Sequence, residues 1–229
     1  PISQSEESSL CGRNTKSNTQ NSKKLHFATW NIRTLLDSKD QRSITIERRT
    51  AIIGRELKRC NIDIASLQET HLRDCGKLIE KEAGYTFMWS GCGENDPNYY
   101  GVAIVVRSDL IAKGIISEPS CYNDRLMSIQ ITNQTNQTTF ICCYAPTLNA
   151  PEQTKELFYE KLGSVVQNIP LRDDIIIAGD MNARIGKADL LWENIIGKHG
   201  VGHQNANGLQ LLQFCSQHDL RIMNTFFQQ

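Results

Sequence analysis

From Leu25 onward, short apolar runs alternate with stretches in which apolar positions recur at helical spacing, and several of the runs end on a polar side chain. Leu25 to Asn31 reads as a strand that stops at Asn31. Ile46, Ile53 and Leu57 then share one helical face, with Arg48, Arg49, Glu56 and Lys58 elsewhere, which predicts an amphipathic helix. Ile62 to Leu67 is a short apolar strand closed by Gln68-Glu69-Thr70. Further strands are predicted at 85–89, 100–106, 126–131 and 139–144, separated by clusters of Gly, Pro, Asn and Asp that favour turns. Pro151-Glu152 opens a second helix, because proline suits a first turn and an acid there complements the helix dipole. Phe158, Leu162 and Val165 continue it to about Asn168. Ile175-Ile176-Ile177-Ala178-Gly179 is the strongest strand and runs directly into Asp180-Met181-Asn182. A third helix around Leu209, Leu212 and Cys215 leads to a final short strand near Arg221 to Met223.

Strand and helix signals interleaved in this way indicate an α/β fold, and 229 residues with 39% hydrophobic content suffice for one domain with one sizeable core. That domain is expected over residues 25–229. Residues 1–24, rich in Ser, Asn, Gln and Lys, are expected to form a flexible tail, since they have too little apolar content to offset the entropy of ordering.

Charge changes the picture next. Lys+Arg and Asp+Glu are 25 each, so the strongly basic balance of a dedicated nucleic-acid binder is absent, and any contact with DNA must come from a local patch. Eight cysteines without a Cys-x-x-Cys pair or a signal-like apolar stretch read as reduced thiols. Cys142 and Cys143 are adjacent in a strand and are therefore expected on opposite faces. With no run long enough to span a bilayer and no lipidation signal, the chain is expected to be soluble and intracellular, without a membrane partner.

Asn31, Glu69 and the Asp180/Asn182 pair each follow an apolar run, and in layered folds such strand-end positions converge on a common rim. Two carboxylates and two amides offer hard oxygen ligands of the kind that suits magnesium, which is held by one or two carboxylates together with water and phosphate oxygens. Phosphate-ester cleavage follows as the expected chemistry. Taken singly, each residue has a plainer reading: Asp-x-Asn as a turn, Glu69 as a solvated charge, Tyr144 as a half-buried aromatic, Asn31 as a turn former. Their order along the chain carries the argument.

Trp30-Asn31, Leu67-Gln68-Glu69-Thr70, Tyr144-Ala145-Pro146-Thr147 and Gly179-Asp180-Met181-Asn182-Ala183-Arg184 together resemble the endonuclease/exonuclease/phosphatase superfamily, which includes apurinic endonucleases and pancreatic-deoxyribonuclease-type enzymes. Within it, Thr29 to Leu35, Asp180 to Gly186 and Asn207-Gly208 look most like the endonucleases of non-long-terminal-repeat retrotransposons and their domesticated relatives. The resemblance implies a four-layer α/β/β/α sandwich and a DNA endonuclease that uses Mg2+, with Mn2+ as a substitute, and acts on the DNA phosphate backbone. Nuclear location follows from the resemblance alone. By position, Glu69 would be the main metal ligand with Asn31 beside it, Asp180 would orient or activate the attacking water, Asn182 would hold Asp180 and the developing charge, and Tyr144 would contact the scissile phosphate. The same residues also admit a phosphatase acting on a small phosphoester, or a non-catalytic DNA-binding remnant.

Other residues stay outside this set. Asp124-Arg125 could place a guanidinium near phosphate or form a loop ion pair. His199 and His203 lie four apart, but the intervening glycines argue against the helix that a shared zinc would need. Trp89 and Tyr99-Tyr100 could stack on bases, with core packing the plainer role for Trp89.

The resemblance departs near the C-terminus, where family members carry a later acid and an Asp-His pair. Here only the reversed His218-Asp219 occurs, so the last catalytic segment of the fold is expected to be missing. A positioned acid-base group contributes roughly 10²–10⁴-fold. The 229-residue chain is therefore predicted to be inactive or nearly so as it stands, nicking plasmid DNA slower than a homologue carrying that pair by at least about this factor. Equal rates in a side-by-side plasmid assay would refute the prediction.

Overall fold

The computed structural model describes residues 24–37, 47–94, 96–97, 99–132, 137–187 and 190–228, so the expected tail lies almost wholly outside the described residues. Strand β1 (Phe27–Asn31) is followed by helix α1 (Arg49–Arg59), which returns the chain so that β2 (Ile64–Gln68) pairs with β1 in parallel. Strands β3 (Cys75–Glu80), β4 (Tyr85–Ser90) and β5 (Val102–Arg107) add antiparallel ladders, giving a first sheet of order β1-β2-β5-β4-β3. A short helix α2 (Ser108–Ala112) leads to β6 (Ser120–Asn123), β7 (Leu126–Thr132) and β8 (Gln137–Tyr144). Helix α3 (Glu152–Gln167) crosses back to β9 (Asp174–Asp180), which pairs in parallel with β8 and completes a second sheet of order β6-β7-β8-β9. Helix α4 (Ala206–Gln217) follows.

Alternation along the strands decides which sheet face meets what. Ile64, Met88 and Ile104 of the first sheet pack with Met127, Ile129, Phe140 and Cys142 of the second in one buried cluster between the sheets. The neighbouring positions Ala65, Leu67, Phe87 and Val105 turn the other way and meet Ile53 and Leu57 of α1. On the second sheet's outer side, Ile141 and Cys143 pack with Phe158 and Leu162 of α3 and Phe214 of α4. Cys142 and Cys143 thus enter separate clusters, and the seven described cysteines are all free thiols.

Three differences from the sequence reading have physical causes. β3 alternates exposed and half-buried positions through Cys75-Gly76-Lys77-Leu78, a weak apolar pattern at a sheet edge, and β6 is a four-residue polar edge strand. Neither carries a recognisable hydrophobic run. The predicted strand at Arg221 to Met223 does not form: Ile222 makes a single bridge with Ile196, and a 3-10 turn follows at Met223–Thr225. Thr225 closes that turn, its hydroxyl donating to Ile222 O at 2.6 Å and accepting from Gly197 N–H at 2.7 Å.

The seam between the sheets can be tested at Phe140, which is fully buried and stacked on Phe27 with ring centroids 5.4 Å apart. Phe140→Ala is expected to lower unfolding stability by about 3–5 kcal/mol, read from urea melts; a loss below roughly 1 kcal/mol would show that the seam is not closely packed there.

Candidate active site

Parallel pairing places the ends of β1 and β2 side by side, with Asn31 opposite Gln68, and the ends of β8 and β9 side by side, with Tyr144 opposite Asp180. The two rims meet. Asn31 Nδ2 donates to Glu69 Oε1 at 2.8 Å and to Asp180 Oδ2 at 3.1 Å, so one amide spans both sheets. Tyr144 donates its phenol to the same Glu69 Oε1 at 2.7 Å. Asn182 N–H donates to Asp180 Oδ1 at 2.9 Å, and Asn182 Nδ2 donates to Ala145 O at 2.8 Å. All five residues singled out from the sequence therefore belong to one hydrogen-bonded network.

Its electrostatics follow from those contacts. Burial raises the Glu69 carboxyl, but the hydrogen bonds from Asn31 and Tyr144, with the nearby charges of His71 and Arg33, outweigh it and hold the pKa below the ordinary carboxylate value. The Tyr144 phenol is driven far upward, first by burial, then by its hydrogen bond to Glu69 and the charges of Glu69 and Asp180. It remains a neutral donor at any physiological pH.

The oxygen donors suit a hard divalent cation. Glu69 Oε2 accepts no hydrogen bond from the described residues, whereas Oε1 accepts two. Asp180 presents a second carboxylate across the amide of Asn31, whose own Oδ1 accepts from Arg33 N–H at 3.1 Å. Such a set, with one or two carboxylates and room for water, matches magnesium's habit. Among the described residues no three His, Cys, Asp or Glu side chains cluster as a metal cage, at His199 and His203 or elsewhere.

The backbone here is strained. Arg33, Glu69, His71 and Asn182 have φ values of 64°, 58°, 58° and 46°, a region that non-glycine residues rarely occupy and that costs of order 1–3 kcal/mol each. Gly101 makes this arrangement fit: its φ is 107°, its carbonyl accepts from Thr70 N–H, and a Cβ there would lie 2.3 Å from Thr70 Oγ1.

Sequence reasoning left out one neighbour of the site. Arg125 forms no ion pair with a described carboxylate; its guanidinium lies 3.6 Å from the Tyr100 ring centroid and 5.3 Å from that of Tyr144, and it donates to Tyr144 O at 3.2 Å. The aromatic at 100 was visible in sequence, but its stacking on Arg125 depends on tertiary pairing. Trp89 packs at the edge of the cluster under α1 and donates its indole N–H to Arg73 O, whereas Tyr99 is largely exposed.

The sequence model of the Endonuclease/Exonuclease/phosphatase family matches residues 28–227. Craniofacial development protein 2 of Bos taurus is 31% identical over 203 residues, which are 89% of this chain and 31% of that protein. The protein of the same name in Tragulus javanicus is also 31% identical, over 89% of this chain and 32% of its own. This chain thus spans about a third of the length of these relatives. An AP endonuclease from Leishmania major superposes with a TM-score of 0.50 at 15% identity, covering 91% of this chain and 71% of that one. The endonuclease domain of TRAS1, a telomere-specific non-LTR retrotransposon, gives 0.49 at 19% identity, over 80% and 69%.

Removing the phenol in Tyr144→Phe is expected to raise the Glu69 pKa toward its ordinary value. A carboxyl with a depressed folded pKa stabilises the fold above its unfolded pKa, and that contribution disappears as pH falls through the folded value. Urea melts should therefore show Tyr144→Phe to be less stable than the parent at neutral pH, by a gap that closes in acid. A gap that is constant with pH would contradict the assignment.

Proposed function

The chain belongs to the Endonuclease/Exonuclease/phosphatase family, and on that premise we propose that it is a Mg2+-dependent phosphodiester hydrolase acting on DNA, an endonuclease domain of retroelement type. The observation that supports this most is the joint hydrogen bonding of Asn31 to Glu69 and Asp180, which sets two carboxylates side by side at one rim. The DNA reading draws its support from the resemblance of the motifs around Asn31, Glu69, Tyr144 and Asp180 to those of retroelement endonucleases.

Glu69 and Asn31 would hold the cation, which when bound neutralises phosphate charge and makes a nearby water more acidic. Mn2+ is expected to substitute. The chain's own residues do the positioning that dominates phosphoryl transfer. Asp180, fixed at Oδ1 by the Asn182 main chain and at Oδ2 by Asn31, takes a proton from the attacking water. The water oxygen bonds to phosphorus as the bond from phosphorus to the departing sugar oxygen breaks, and that oxygen takes a proton from solvent water. Tyr144, kept protonated by burial, would turn its single hydroxyl hydrogen from Glu69 Oε1 to a phosphate oxygen once Glu69 is committed to the cation. Asn182 holds Asp180 and meets the developing charge.

With protein in excess over supercoiled plasmid, slow nicking is expected in Mg2+ or Mn2+ and none in EDTA. Glu69→Ala and Asp180→Ala are each expected to lower the rate by roughly 10²–10³-fold or more. Duplex DNA should also compete with any small phosphoester substrate. Nicking that survives Asp180→Ala would overturn the assignment. DNA binding without any metal-dependent cleavage would instead identify a non-catalytic module.

A further inference from the structure

Asn207, near the start of α4, is 3% exposed, yet its side chain has no apolar role. Its amide donates to Asn182 O at 3.0 Å and to Pro146 O at 3.1 Å. These carbonyls belong to the two segments that follow β9, which ends on Asp180, and β8, which ends on Tyr144. The other atom of the side chain, Oδ1, is buried with no hydrogen-bond partner. An orphaned buried acceptor is destabilising, so an apolar residue of similar volume would serve packing better. What Asn207 supplies is a pair of N–H donors aimed at two carbonyls.

The surrounding contacts press this helix end against the same loop. Asn205 Oδ1 accepts from Gly208 N–H at 2.8 Å, capping α4, and from Arg184 N–H at 3.0 Å. Asn205 N–H donates back to Arg184 O at 2.9 Å. Gly208 lies so close that a Cβ would sit 1.8 Å from Arg184 O. Asn182 meanwhile holds a φ of 46°, a conformation that persists only where neighbours fix the adjoining peptide. The hydrogen bond from Asn207 to Asn182 O fixes that peptide.

We propose that Asn207 is a positioning residue for the hydrolytic site, acting through the Asn182 and Pro146 carbonyls to set Asn182 and Tyr144 relative to Asp180. The inference rests on the hydrolase reading above and extends it to a residue that touches neither metal nor substrate. Asn207→Leu keeps the approximate volume and removes both donors, and Asn207→Ala does so in a smaller side chain. Asn207→Gln retains the donors at the end of a longer arm.

The test pairs amide hydrogen exchange with single-turnover cleavage. In folded Asn207→Leu or Asn207→Ala, exchange at the Asn182 and Arg184 amides is expected to rise about tenfold while β7 and α3 stay protected. The cleavage rate constant should fall roughly 10- to 100-fold at unchanged DNA affinity, with partial recovery in Asn207→Gln. Unchanged exchange at 180–184, protection lost evenly through the chain, or a rate loss arising only from weaker DNA binding would each overturn the proposal. Asp180→Ala run beside them separates the two ideas. If Asp180→Ala cleaves like the parent, the hydrolase reading falls, and the exchange data still decide whether Asn207 clamps the loop.

Discussion

Two sheets must lie face to face before residues from distant parts of this chain can meet, and the apolar seam between the sheets imposes that arrangement. Ile64, Met88 and Ile104 on one side and Met127, Ile129, Phe140 and Cys142 on the other are all nearly or fully buried. Each large side chain so removed from water contributes roughly 1.5–3 kcal/mol. The polar rim contributes far less and could not assemble on its own. Asn31 and Asp180 are 149 residues apart, and only the seam brings them within hydrogen-bond distance.

Much of this was legible in the sequence because the site sits at strand ends. β1, β2, β8 and β9 are apolar enough to be read directly, and the polar residue that stops or follows each one is a member of the hydrogen-bonded network at the rim. Parallel crossovers through α1 and α3 then carry those ends to the same rim. Local pattern failed where the interaction was non-local or the element was an edge. β3 and β6 lie at sheet edges, where a strand need not be apolar. Arg125 read either as a phosphate contact or as half of a loop ion pair, but it packs against Tyr100, in the loop that leads into β5 of the other sheet. Asn207 was visible only as part of an Asn-Gly pair; its reach to Asn182 and Pro146 exists only in the folded chain.

The strain at Arg33, Glu69, His71 and Asn182 belongs with this division of labour. Strands deliver the chain to the rim in extended form, and a left-handed residue turns it sharply there, so that side chains point into the shared space instead of continuing along the sheet. The surrounding hydrogen bonds, from Thr70 N–H to Gly101 O and from Asn207 to Asn182 O, hold those turns in place. Rigidity at the rim is supplied by the loops' neighbours, not by the loops themselves.

The amide of Asn31, anchored on one sheet and bonded to carboxylates of both, also acts as a gauge of the gap between them. A hydrogen bond tolerates only a few tenths of an ångström before it weakens. A change of one methylene deep in the seam, far from any reacting atom, would therefore be transmitted as altered spacing between two carboxylates. In this architecture the volume of the core sets the geometry of the rim, and the chemistry proposed there would depend on packing as well.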